Sequence, residues 1–190
     1  MAYLSAAAAL TALLATGCSA GSSETPAESG GSPAAVLSPS VPDRIVIPDI
    51  HVDAPLKTVG LQANGEMEEP SFDAPMDAAW YKQGPTPGEK GAAAIVGHLD
   101  TPTTKEAVFY NLSKLTKDEK IEVSRQDGST AVFAVDHVDT FAKDSFPTQK
   151  VYGDTNGRAE LRVITCGGNL TASRHWDSNV VVFAHLTGKS

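Results

Sequence analysis

From Asp43 onward the apolar residues fall in short β-branched runs separated by turn chemistry. "RIVIPDIHVDAPL" holds two such runs, interrupted at Pro48 and Pro55. "AAAIVGHLD" is a continuous apolar stretch that stops at Gly97, the pattern of a buried strand. "KIEVSRQDGSTAVFAVDHVDTF" predicts two strands turned back on each other at Asp127-Gly128, a dipeptide suited to a tight hairpin. "AELRVIT" and "NVVVFAHL", rich in Val and Ile, predict the last two strands. Two segments between the runs, "KEAVFYNLSKL" and "FPTQKVYG", predict a turn or two of helix each. Seven or eight short strands with a turn signal every ten or so residues predict an all-β barrel or sandwich. Strand and helix do not alternate as a parallel α/β sheet requires, and no repeat of 20–50 residues is present.

The first forty residues have a different texture. "YLSAAAALTALLATGC" is an Ala/Leu run with the length of a signal-peptide core, short for a bilayer span. "LLATGCS" resembles a bacterial lipobox, which implies a lipid-modified Cys18 within a segment 1–18. An ordinary cleaved secretory signal is the other reading of the same residues. Residues 19–42, "SAGSSETPAESGGSPAAVLSPS" and its flank, are Ser/Gly/Pro/Ala-rich with few large apolar groups. Such a composition does not offset its ordering entropy, and it predicts a disordered tether. The catalytic or binding domain is then expected at 43–190. Both readings of the N-terminus place the protein outside the cytoplasmic membrane, held to it if the lipid is present. A net charge of -8 over 190 residues excludes nucleic acid as the main partner, since nothing in it would release phosphate counterions.

Export changes the meaning of the cysteines. The chain has two, Cys18 and Cys166. Two cysteines in an oxidising compartment suggest a disulfide first. Cys18, however, is lipid-linked, removed or carried on a tether, and Cys166 is left without a natural partner. An unpaired thiol there is either reactive or a small buried hydrophobe. Its setting favours reactivity: "RVITCGG" delivers Cys166 at the end of an apolar strand, followed by Gly167 and Gly168. "AIVGHLD" delivers His98 in the same manner, with Asp100 close by to hold the ring. Arg174, in "TASRHWDSN", is the only arginine after the cysteine. The three types suit acyl transfer: a thiolate nucleophile, an imidazole to protonate a leaving amine, and a guanidinium for the oxyanion. The glycines are expected to let the chain turn and leave room beside the sulfur. His51, His137, His175 and His185 lack such a strand-end setting. A zinc site from Cys166, His98 and His175 has no C-x-x-C or H-x-x-x-H spacing behind it, so no metal or other cofactor is expected.

With these motifs in family order from Asp43 to Leu186, the sequence resembles the sortases, most closely the actinobacterial class F type. The resemblance runs through "DRIVIPDIHVDAPL", "MDAAWYKQGPTPGEKGAAAIVGHLDT", "LRVITCGG" and "NVVVFAHL", with "TCGG" and "GHLD" its most specific parts. It implies a closed, roughly eight-stranded antiparallel β-barrel with short connecting helices. It implies His98, Cys166 and Arg174 as the catalytic set, Asp100 and Gly167 in support, and no cofactor. The implied reaction is attack by Cys166 on the threonine carbonyl of a Leu-Pro-x-Thr-Gly-like sorting signal, then transfer of the thioacyl group to an amine or to water. The implied partners are secreted proteins bearing that signal and an amine acceptor such as a cell-wall precursor or pilin lysine, with the enzyme a monomer. Two other readings stand beside it. An L,D-transpeptidase-like enzyme pairs its cysteine with a preceding histidine that "ITCGG" lacks; a lipoprotein could also keep the barrel only for binding.

Overall fold

The computed structural model describes residues 34–190. The readings made for residues 1–33, the Cys18 lipobox among them, lie outside the described residues. Eight strands form the fold: β1 Pro42–Ile47, β2 Val52–Val59, β3 Ala78–Tyr81, β4 Gly91–Val96, β5 Lys120–Arg125, β6 Thr130–Ala142, β7 Ala159–Leu170 and β8 Trp176–Lys189. They close into a barrel in the order β1-β2-β3-β4-β7-β8-β6-β5. The closed all-β barrel expected from the sequence is the one found. Its strands are not all antiparallel, however: β2 pairs with β3, and β4 with β7, in parallel. Parallel neighbours need a crossover rather than a hairpin, and here long connections supply it.

Burial explains the strand patterns. In β2 Val52, Ala54 and Leu56 are buried while Asp53, Pro55 and Lys57 are exposed, the alternation of a strand with one wet face. Pro48 interrupts its run as expected, opening the 3-10 turn Pro48–Ile50. Pro55 does not: it sits on the outward face within β2, opposite Arg44 of β1. β7 and β8 are buried on both faces along most of their apolar stretch. Leu161, Val163, Val180, Val182 and Ala184 belong to the main core. Ile164, Val181 and Phe183 form a second cluster with Val151, packed against Phe141, Phe146 and Tyr152. The helix α1, Thr148–Tyr152, contributes Val151 and Tyr152 to that cluster. It is why "VVVF" is apolar without alternation. Of "KEAVFYNLSKL" only Leu112–Lys114 is helical, as a 3-10 turn, while Val108, Phe109 and Leu112 enter the main core.

The segment expected to be tether up to residue 42 is in part built onto the barrel. Leu37 donates its backbone N–H to Gly88 O at 2.8 Å, and Ser40 donates to Thr86 Oγ1 at 3.1 Å. Arg125, only 3% exposed, donates one guanidinium nitrogen to Ser38 O and the other to Ser129 Oγ. Residues 34–41 therefore cover a buried charge, a contact that composition does not reveal.

Candidate active site

The parallel pairing of β4 with β7 builds the site. Its register sets Ile95 beside Val163 and Val96 beside Ile164. Two residues beyond the Val96–Ile164 pair, on the two adjoining segments, come His98 and Cys166. Gly97 N–H donates to Ile164 O at 3.1 Å, and the buried Thr165 hydroxyl donates to Gly97 O at 2.8 Å. Phe109 N–H then holds His98 O at 3.0 Å. The backbone on both sides of the imidazole is thus fixed by hydrogen bonds, one of them from the Thr165 side chain.

The glycines act differently from expectation. A Cβ on Gly97 would lie 2.6 Å from the Phe109 ring and 2.7 Å from Val108, so this glycine serves close packing under the histidine. A Cβ on Gly167 would lie 2.6 Å from Val180 Cγ2, so the space beside it is taken by β8 rather than left for a substrate. Gly168 has φ +82°, which does require the left-handed region. β7 also does not end at the cysteine. It runs on to Leu170, with its register against β8 shifting between Gly167 and Leu170.

His98 is 8% exposed. Its Nε2 donates to Pro70 O at 2.8 Å, since a carbonyl only accepts, and Nδ1 is left as the ring's exchangeable nitrogen. The Phe72 ring stacks on the imidazole at 4.7 Å between centroids, although Phe72 is itself 51% exposed. Asp100, expected to hold the ring, accepts from Trp176 Nε1–H at 2.9 Å and so ties the exit of β4 to the start of β8. Cys166 is a half-buried free thiol, and Lys143 Nζ donates to its Sγ at 3.6 Å.

Two cavities meet at Cys166, His98, Lys143 and Glu69. The wider, about 580 Å³, runs toward the β7–β8 turn and is lined by Phe72, Asp100, Leu170, Arg174 and Trp176. The narrower, about 230 Å³, runs toward Val96, Tyr152, Ile164 and Asn179. His98, Cys166 and Arg174 therefore converge on one cleft. Arg174 sits on an exposed turn with φ 60°, closed by Arg174 N–H to Thr171 O at 2.9 Å. Asp177 stabilises the same turn by accepting from the Asn169 N–H at 2.9 Å and the Ser178 hydroxyl at 2.7 Å, which hold its carboxyl below the usual carboxylate range. Burial, with Tyr81 nearby, pushes the Tyr152 phenol up to about 12, so it adds no negative charge beside the thiol near neutrality.

His175 also lines the wider cavity, but among the described residues no three His, Cys, Asp or Glu side chains group as a metal would need. His185 pairs with Asp136 at 2.7 Å and His137 stacks on Phe183, both away from the cleft. Lys143, Pro70 and Phe72 were not found by reading the sequence. Their nearness to the site comes from strand order and from the path of the β2–β3 connection; an aromatic in the polar run "EEPSFDAP" is the one local sign.

A closed barrel that sets a cysteine within one strand and a histidine just past the end of its parallel neighbour defines a narrow class of proteins. The Sortase domain family matches residues 45–187, and the chain belongs to that family. Among solved structures, sortase A from Corynebacterium diphtheriae is similar at 18% identity and TM-score 0.59, over 79% of this chain and 62% of that one. The chain thus spans less than two thirds of that structure's length. Sortase C-1 from Actinomyces oris is similar at 22% identity and TM-score 0.58, covering 80% of this chain and 76% of the other. A sortase D5 transpeptidase from Clostridium perfringens is similar at 18% identity and TM-score 0.56, covering 78% and 79%. Among curated protein sequences none matches this chain.

Proposed function

We propose that this protein is an extracytoplasmic cysteine transpeptidase of the sortase type, with class F character. One observation carries the reading: the β4–β7 register brings Cys166 and His98 side by side, in a cleft that Arg174 also lines. Cys166 gives its proton to His98 Nδ1 and its Sγ attacks the threonine carbonyl of a Leu-Pro-x-Thr-Gly-like sorting signal, forming a carbon–sulfur bond as the carbonyl π electrons move to the oxyanion. As the tetrahedral intermediate collapses, the carbon–nitrogen bond breaks and His98 gives a proton to the departing glycine amine. Nδ1 is the nitrogen suited to that exchange, because Nε2–H is engaged by Pro70 O. Arg174 stabilises the oxyanion with its paired donors. An incoming amine, from a cell-wall precursor or a pilin lysine, then attacks the thioester and gives a proton to His98, and the carbon–sulfur bond breaks to release Cys166; water in its place gives hydrolysis.

The partners are secreted proteins that carry the signal. The anchor is a lipid on Cys18, or the protein is secreted if the signal is only cleaved. Among the described residues no helix is long and apolar enough to cross a membrane. The L,D-transpeptidase alternative gains no support, since "ITCGG" has no histidine immediately before a glycine, and a pure binding role leaves the thiol–imidazole cleft unexplained.

The test uses the full chain with a panel of Leu-Pro-x-Thr-Gly-type peptides and candidate amines. Cleavage between Thr and Gly, with an acyl mass on Cys166 that hydroxylamine removes, is expected. Neither cleavage nor acylation across the panel, with the thiol still freely alkylated, would leave a binding module as the better description.

A further inference from the structure

The cleft contains a cation, Lys143, beyond the cysteine, histidine and arginine of the proposed reaction. Lys143 follows β6 directly and opens the 3-10 turn Lys143–Ser145. Its position is set by the sheet: Ala142 pairs with Ser178 of β8, and Ser178 pairs with Gly167 of β7. Lys143 thus leaves the barrel two strands away from the cysteine, about 10 Å across, and its four-carbon stem reaches back toward the sulfur. Aromatic residues anchor the turn from both sides. Phe141 and Phe146 pack edge to face at 6.1 Å, both against the outer apolar cluster. The ammonium then meets Sγ at 3.6 Å and lines both cavities. Elsewhere around the thiol, His98 is engaged by Pro70 O and Phe72, and Asp100 by Trp176. Arg174 and His175 lie on the far turn of the wider cavity, Glu69 lies between the cavities, and Glu68 and Tyr152 line the narrower one. Among the described residues Lys143 alone is hydrogen-bonded to the sulfur.

We propose that Lys143 is a further catalytic residue of this site, its ammonium stabilising the sulfur anion that attacks. The inference rests on the reading of Cys166 as the nucleophile. It divides two tasks that a cysteine–histidine pair otherwise combines. Lys143 supplies the positive charge that favours the sulfur anion, and His98 is free to remain the proton donor for the leaving amine. The thiol proton passes to His98 Nδ1, which holds it for the leaving amine, and the ammonium keeps all three of its own. Once the thioester forms, the sulfur loses its charge and the ammonium is released toward the cleft.

The experiment measures iodoacetamide alkylation of Cys166 in the full chain, read by mass spectrometry on the peptide that carries it so that Cys18 does not contribute. A thiolate paired with a cation is more abundant at neutral pH but intrinsically less nucleophilic. Lys143→Met should therefore be alkylated about two- to fourfold more slowly at pH 7, and as fast as wild type or faster at pH 10. Lys143→Arg, which keeps the charge, should follow wild type. Raising the salt should slow wild type at pH 7 and leave Lys143→Met unchanged. Equal rates for wild type and Lys143→Met at pH 7 would overturn the proposal. So would the same factor at both pH values, which is the mark of altered access rather than altered charge. Peptide cleavage is scored separately: wild type that cleaves nothing removes the transpeptidase reading, whereas the alkylation profiles still decide on Lys143.

Discussion

Cys166 and His98 are brought together by backbone bonds, and the side chains nearest them test that arrangement. The Thr165 hydroxyl joins the two strands at the site by donating to Gly97 O. Thr165→Val leaves that buried carbonyl unpaired, and denaturant unfolding should record a loss of about 1–3 kcal/mol. Because Gly97 precedes His98, turnover of a sorting peptide should fall as well, while Cys166 remains present to be alkylated. Arg174 is tested by charge-preserving exchange. Arg174→Lys retains the cation but not the planar pair of donors, and an oxyanion role predicts a loss of roughly 10²–10³ in kcat with KM little changed. A higher KM at unchanged kcat would instead make Arg174 a residue that positions the substrate. Gly97→Ala should destabilise the fold by about 1–3 kcal/mol, because the new Cβ would meet Phe109, a ring with 0% exposure and no direction in which to move.

Two elements outside the strands set the stability of the site and the domain. The β7–β8 turn carries Arg174 and is secured by Asp177, whose pKa is lowered by bonds from Asn169 and Ser178. A carboxyl with a lowered folded pKa contributes order that is complete above the unfolded value of 3.8 and fades as pH falls through the lower folded value. Amide exchange in residues 169–178 should accordingly rise at acid pH below that value, ahead of the barrel strands, and Asp177→Asn should remove much of the pH dependence. The segment 34–41 behaves as part of the domain rather than of a tether. Deleting residues 1–33 should leave the unfolding midpoint almost unchanged, whereas deleting 1–41 removes Ser38 O from the buried Arg125 and should lower it measurably. Equal midpoints for the two truncations would show that water replaces Ser38 at no cost.

At the scale of the whole molecule, closure of the barrel is what makes a cleft. β4 reaches β7 only by parallel pairing, and β6 reaches the site only because β8 lies between it and β7. Anchoring belongs to this scale too. The full chain should sediment with membranes and carry lipid on Cys18, and a chain lacking residues 1–33 should be soluble yet still cleave sorting peptides. An unmodified Cys18 on a membrane-bound chain would point to an uncleaved signal anchor. Loss of cleavage in the truncated chain would mean that the N-terminal part contributes to the site itself.

The sequence by itself determined the local terms. β-branched runs, the Asp127-Gly128 turn and the strand-end settings of "GHLD" and "TCGG" depend only on near neighbours, and they were enough to indicate an all-β barrel or sandwich and to single out His98 and Cys166, which line one cleft. The same local signals misjudged Pro55, which an outward-facing strand position tolerates, and the end of β7, where the glycines permit a shift of register without breaking the strand. They also missed residues 34–41, whose Ser and Pro composition reads as tether although their backbone groups are bound by distant partners. Tertiary structure alone decided which strands run parallel, that Asp100 faces Trp176 while Pro70 takes the imidazole, and that Lys143 reaches Sγ. Each of these is a contact between residues at least 22 positions apart in the chain. Hydrophobic pattern specifies which face of a strand is buried; strand order, which sets such contacts, is fixed only when all eight strands share one core.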